Sequence, residues 1–229
     1  MSILDDIKGG LIVSCQALEN EPLHSSFIMA RMALAAMLGG AVGIRANTVA
    51  DIIEIKKTVT IPVIGIIKAE YLDSKVYISP TMNEIDSLVE SNCDIIATDA
   101  TGRIRPNGEA LDTFFFNVRK KYPNLLFMAD CATYQEGMNA AALGFDLIGT
   151  TMSGYTEESK NDAVPNYEMM SALVQNSGKP VIAEGNIWTT EQLQRVKDCG
   201  VHAAVIGSAI TRPMLITRRF VKIMNGERS

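Results

Sequence analysis

Residues 62–68 read PVIGIIK, a continuous apolar run that opens on a proline and closes on a lysine. It is short for a helix and lacks the alternation of a strand with one wet face, so it predicts a strand covered on both sides. Seven more stretches share this form: GLIVSC (10–15), AVGIRA (41–46), DIIATDA (94–100), LLFMADC (125–131), DLIGTT (146–151), PVIAEGN (180–186) and AAVIGSA (203–209). The segments between them are amphipathic. Ile52, Ile53 and Ile55 carry the apolar side of 51–57, and Ile85, Leu88 and Val89 that of 84–89, which predicts helices. Gly39-Gly40, Gly144 and Gly200 each stand just before the next run, where glycine takes a left-handed helix cap cheaply. Repeated βαβα order demands parallel strands with right-handed crossovers, and eight such units predict a closed (β/α)8 TIM barrel. An open doubly wound sheet is the alternative. Its dinucleotide-binding form would carry G-x-G-x-x-G after an early strand, whereas the glycines here are scattered over several strand ends.

The 229 residues, 47% apolar and 21% charged, have the balance of a folded chain and exclude disorder. No linker, charge block or composition shift interrupts them, so residues 1–229 are expected to form one domain. Twenty-one basic against 26 acidic side chains leave a net charge of -5, without the basic surplus of a nucleic-acid-binding surface. The longest uncharged apolar stretch, Ala33 to Ile44, falls short of the ~20 residues that cross a bilayer and contains two adjacent glycines, so no membrane span is expected. The opening MSILDDIKGG has acids where an export signal carries bases. Cys15, Cys93, Cys131 and Cys199 are widely spaced with no CxxC pair, as in a reducing compartment. A cytoplasmic protein is expected.

The strands of such a barrel point their carboxyl ends at one rim, where the loops build a site. The runs end there on Gln16, Arg45, Lys68, Asp99, Asp130, Thr150 with Thr151, Glu184, and Gly207 with Ser208, whereas they begin on Gly, Ala, Pro or Asp in most cases. A single polar residue at a strand end merely marks the approach to water. A lysine, an arginine and three acids closing such apolar runs are costly to desolvate unless they pair or do chemistry, so one network around a cavity is expected. Glu184-Gly185-Asn186 after strand 7 and Gly207-Ser208 after strand 8 predict backbone amides gathered on a phosphate, with Arg212 adding a fixed positive charge. The plain alternatives are tight turns for the glycines and a helix start at Pro213 for Arg212. His24 follows strand 1, and His202 precedes strand 8 on the opposite rim, where a structural role is expected. A divalent-metal site at such a rim would want histidines interleaved with acids, so no metal is assigned, although Asp99, Asp130 and Glu184 have ligand chemistry. Lys68 is the candidate base, since a buried stem with its amine in a cavity lowers a lysine's pKa toward neutrality. The alternatives are a lysine held charged by Asp99 or Glu184, or a phosphate contact.

At these residues the chain resembles the N-acetylmannosamine-6-phosphate 2-epimerase family over essentially its full length. The resemblance is carried by GLIVSCQAL (10–18), EPLHSS (21–26), GGAVGIRAN (39–47), PVIGIIK (62–68), MADCAT (128–133), IGTTMSGYT (148–156), VIAEGN (181–186) and GSAITRP (207–213). It implies a phosphate-binding barrel of sialic acid (N-acetylneuraminate) degradation that interconverts N-acetyl-D-mannosamine 6-phosphate and N-acetyl-D-glucosamine 6-phosphate without a cofactor. It also implies a proton-handling Lys68, a partner carboxylate Glu184, and sugar contacts from Gln16, Arg45, Asp130 and Arg212. Thr98 departs from the pattern, since a larger apolar residue is usual before Asp99.

Epimerisation at C2 breaks a C–H bond beside the open-chain aldehyde and returns a proton to the opposite face. Neutral Lys68 is expected to take that proton, with Gln16 or Arg45 stabilising the enediolate-like oxygen. Glu184 is open between orienting the acetamido group, relaying a proton and acting as second acid/base. Two other classes compete: a lysine that forms a Schiff base, as in a class I aldolase, and a non-catalytic sugar-phosphate binder. The apolar stretches Phe27 to Leu38 and Met214 to Met224 suggest a homodimer through the last helix.

Overall fold

A computed structural model describes residues 2–227, so residues 1, 228 and 229 of the expected domain lie outside the described residues. All eight apolar runs form strands: β1 (Leu11–Cys15), β2 (Gly43–Asn47), β3 (Val63–Ile66), β4 (Ile95–Asp99), β5 (Leu126–Asp130), β6 (Leu147–Gly149), β7 (Val181–Glu184) and β8 (Ala203–Ile206). Each pairs in parallel with the next, and β8 returns to β1 through Leu11–Ala204, Ile12–Val205 and Val13–Ile206. The sheet is therefore a closed barrel rather than an open sheet. Helices α2 (Ser26–Leu38), α3 (Val49–Thr58), α4 (Met82–Glu90), α5 (Leu111–Lys121), α6 (Tyr134–Leu143), α7 (Tyr167–Asn176) and α8 (Thr190–Asp198) follow β1 to β7 in turn. After β8 come a single turn, α9 (Ser208–Thr211), and α10 (Pro213–Met224).

The strands lack alternation because both of their faces are packed. Ile44, Ile96, Phe127, Ala129 and Ile148 meet the helices, while Ile64, Ile66, Ile95, Met128 and Ile182 fill the barrel. Gly149 has a specific role in that filling. A Cβ there would stand 2.3 Å from Met128 Cε and 3.2 Å from Asp130 Oδ1, so its absence lets both neighbouring side chains into the barrel.

A short helix that the apolar pattern does not predict, α1 (Ile3–Ile7), precedes β1. Ser2 caps it by accepting from the Asp5 amide, while the Asp5 carboxylate accepts from the Ser2 amide. Ile7 is fully buried against Ile12, Ile64, Ile95 and Leu147, which lie at or near strand beginnings, so α1 closes the amino-terminal end of the barrel. His202 Nε2 lies 2.8 Å from the Leu4 carbonyl and holds this plug, the structural role expected of it.

The last helix behaves differently from the others. None of the residues of α10 is buried, and Phe220 and Met224 are 71% and 86% exposed. Beside it, an apolar groove of about 530 Å³ runs over β1 between α2 and α9, lined by Leu11, Val13, Met32, Ala36 and Ile210. Among the described residues no helix is long and apolar enough to cross a membrane.

Candidate active site

A cleft of about 240 Å³ opens at the carboxyl ends of the strands. It is smaller than the apolar groove on the outer wall, but it holds the titratable groups, and the groove has none. At its centre Arg45, from β2, is 1% exposed and reaches two carboxylates. Its Nη2 donates to Asp130 Oδ2 at 2.6 Å, and its Nη1 donates to Asp130 Oδ1 at 3.1 Å and Glu184 Oε2 at 2.8 Å. Burial works against the guanidinium charge, but Asp130 and Glu184 more than offset it and hold the pKa above the ordinary value. Thr151 Oγ1 completes the cluster, donating to Asp130 Oδ1 at 2.7 Å and Glu184 Oε2 at 3.2 Å. Asp130 stands behind these groups, with no exposure of its own.

Glu184, the last residue of β7, uses Oε2 for these bonds, while its Oε1 has no hydrogen-bond partner among the described residues. Burial pushes its carboxyl up to about 7, with Asp130 adding to the rise and Arg45 opposing it. Across the cleft, Lys68 follows β3. Its backbone amide donates to Asn47 Oδ1 at 2.9 Å and its main chain bridges to Ile78, so the chain is fixed at its base. Among the described residues its amine pairs with no carboxylate, neither Asp99 nor Glu184. Burial first, then the Arg212 and Arg45 charges, bring its pKa down to about 8. The two groups are shifted toward each other, which lets one cleft hold both an acid and a base near neutral pH.

The loops after β7 and β8 form the remaining wall. Gly185 and Asn186 have φ of +112° and +56°, and among the described residues none of the backbone amides of Gly185, Asn186, Gly207 and Ser208 donates to a protein acceptor. Gly207 runs close to β1: a Cβ there would lie 3.2 Å from Ser14 Cβ. Arg212 lines this end and donates to Glu21 Oε2 at 3.1 Å. Gln16 lines the cleft too, with its amide nitrogen turned to Ser14 Oγ at 2.8 Å.

The structure thus brings Gln16, Arg45, Lys68, Glu184, Gly185, Asn186, Gly207, Ser208 and Arg212 to one cleft. Asp99 does not join them. Its carboxylate accepts from Thr101 and Arg103, so it is drawn into its own loop, and the expected network of strand-end groups excludes it. Thr98, the departure from the family pattern, accepts a hydrogen bond from the buried Arg105 and donates to the Ser79 carbonyl at 2.8 Å. The apolar pattern gives no reason to select Tyr77, Tyr155 or Trp188, which also line the cleft. Tyr77 lies in the short apolar triplet Val76–Ile78 within the connection from β3 to α4, a faint signal, and Trp188 is the sole tryptophan of the chain.

Comparison with known proteins agrees with this geometry. Residues 29–226 match the family described as "Putative N-acetylmannosamine-6-phosphate epimerase". A protein of Caldanaerobacter subterraneus subsp. tengcongensis described as "Putative N-acetylmannosamine-6-phosphate 2-epimerase" is 52% identical, over 100% of this chain and 96% of its own. One of the same description from Clostridioides difficile is 54% identical over 96% and 98%. The solved N-acetylmannosamine-6-phosphate 2-epimerase of Clostridium perfringens superposes with a TM-score of 0.93 at 51% identity, over 97% of this chain and 96% of that one. A thiamine phosphate pyrophosphorylase from Pyrococcus furiosus, at 17% identity and TM-score 0.62, shares the fold alone. Strand order, strand-end residues and full-length identity lead to one assignment: the chain belongs to the N-acetylmannosamine-6-phosphate 2-epimerase family.

Proposed function

We propose that the protein interconverts N-acetyl-D-mannosamine 6-phosphate and N-acetyl-D-glucosamine 6-phosphate, as its relatives' names describe, by moving one proton at C2. The observation that carries this reading is that the Lys68 amine and Glu184 Oε1, both without a partner among the described residues, face the same cleft. Neutral Lys68 takes the C2 proton. The C–H electron pair becomes the C1–C2 double bond and the carbonyl pair moves onto O1. Protonated Glu184 returns a proton to the other face of C2, and the pair resets by exchange with water. Arg45 keeps Glu184 and Asp130 in place, and the free amides of 185, 186, 207 and 208 with Arg212 hold the phosphate, so that the two ends of the substrate stay fixed while C2 inverts. No cofactor is required by this electron bookkeeping. NMR of N-acetylmannosamine 6-phosphate incubated with the protein in heavy water tests the reading. The expected result is the second epimer with deuterium at C2. A lysine adduct trapped by borohydride, or binding with no label at C2, overturns it in favour of a Schiff-base enzyme or a passive binder.

The bare α10 and the apolar groove beside it support a homodimer through the last helix, since an exposed stripe of this kind is covered in a stable assembly. A light-scattering mass near 24.9 kDa excludes it. The unpaired cysteines support a cytoplasmic setting, and the net charge of -5 supports a small-molecule partner rather than nucleic acid. The continuous βα order supports one domain over 1–229.

A further inference from the structure

Removing the C2 proton puts negative charge on O1, and that charge needs a hydrogen-bond donor. The two groups expected to supply it, Gln16 and Arg45, and two more donors nearby, Thr151 and Arg212, are engaged elsewhere. Both Nη nitrogens of Arg45 are turned to Asp130 and Glu184, Gln16 Nε2 to Ser14, Thr151 Oγ1 to the same carboxylates, and Arg212 to Glu21. Tyr77, on the same wall, is held differently. The Tyr77 hydroxyl donates to Met152 Sδ at 3.6 Å, and among the described residues it has no other partner. A thioether is a weak acceptor, and a half-buried phenol ordinarily finds an oxygen or nitrogen.

The segment that carries Tyr77 is fixed against the proposed base. Beyond β3 the chain turns outward and comes back so that Ala69 N donates to the Tyr77 carbonyl at 3.0 Å and Lys68 bridges to Ile78. Asp99 N donates to the Ile78 carbonyl at 2.9 Å, which ties the same segment to β4. Tyr77 and Lys68 therefore approach the cleft from adjacent strands of one small antiparallel ladder. Burial, reinforced by Asp99 and Asp130, pushes the phenol up to about 12, so it keeps its proton at neutral pH and serves as a donor rather than as an acid. Tyr155, the other tyrosine on the wall, is 57% exposed and faces water.

We propose that Tyr77 is a further catalytic residue, whose hydroxyl exchanges the Met152 sulfur for the substrate and donates to O1 as C2 is deprotonated. This assignment rests on the epimerase reading. The experiment compares wild type, Tyr77→Phe and Met152→Leu for C2 deuterium incorporation, kcat, KM and melting temperature. Tyr77→Phe keeps the ring and loses one weak bond, so its melting point is expected to stay within a few degrees while kcat and exchange fall about 10²-fold, the usual cost of one oxyanion donor, with KM nearly unchanged. Met152→Leu removes only the resting partner and is expected to stay within about threefold of wild type. An active wild type with Tyr77→Phe equally fast overturns the tyrosine assignment alone, as does an equal loss in both variants accompanied by a lowered melting point, which marks packing. A wild type that labels no C2 overturns the epimerase reading, and this assignment with it.

Discussion

Two arginines are buried at the same end of the barrel, Arg45 at 1% exposure and Arg105 at 2%, and among the described residues each leaves its Nε without a partner. Arg45 lies against two carboxylates, one of which keeps an oxygen free toward the cleft. Among the described residues Arg105 has no carboxylate in contact; its hydrogen bonds go to a backbone carbonyl, that of Asp99, and a hydroxyl, Thr98 Oγ1. Its guanidinium sits 3.8 Å from the centroid of Phe114. Burial brings its pKa down to about 10, opposite in direction to Arg45. Buried charge is thus used in two ways. Around Arg45 it is organised with a vacancy on the cleft side, as chemistry requires, and around Arg105 it is closed off by neutral acceptors and an aromatic face, as folding requires.

Substitutions on the two sides are expected to separate activity from stability. The largest effect is at the base: Lys68→Ala should reduce C2 exchange by up to about 10⁴-fold while the melting temperature holds or rises, since a buried lone amine is removed. Exchange in heavy water followed by NMR reads this, and retained exchange rejects Lys68. Glu184→Gln should reduce turnover about 10²-fold, with little loss of fold. On the other side, Arg105→Met should leave turnover per folded molecule within a few-fold of wild type yet lower stability by about 3 kcal/mol, or roughly 10 °C in calorimetry. Loss of turnover without loss of stability in this variant breaks the contrast.

The smallest effect is in the pH profile. Lys68 must be neutral, so the rate gains with pH up to about 8, and Glu184 must be protonated, so the rate loses with pH above about 7. Their product rises to about 7, is level to about 8 and then falls. In Glu184→Gln the falling limb should vanish. The rate should then follow the neutral fraction of Lys68 alone and level off at its pKa, which falls below about 8 because the Glu184 charge that raises it is gone. A falling limb that persists in this variant removes Glu184 as the acid.

The barrel was legible because fully covered strands leave a one-dimensional signature, and all eight runs carry it. Residues at strand ends were legible for the same reason, since a charged group closing an apolar run has a physical cost that demands an explanation. What each one faces was not legible. Asp99 and Asp130 end neighbouring strands and stand directly opposite each other in register, yet Thr101 and Arg103 capture the first and Arg45 the second. That choice is made by a loop folding back on itself, which periodicity does not encode. Tyr77 was missed because an excursion outside the βα repeat brings it to the cleft. Helix α1 was missed because five residues are too few for a periodicity, although Ser2 and Asp5 spell its cap.

The plug made by α1 has a kinetic consequence. With Ile7 seated in a packed barrel interior, the amino-terminal end is filled with side chains and the cleft opens on the strand-end side. Substrate and product therefore occupy the same cleft and use the same mouth, whichever way the reaction runs. Each epimer accordingly competes with the other for entry, and high levels of either one slow the turnover of its counterpart.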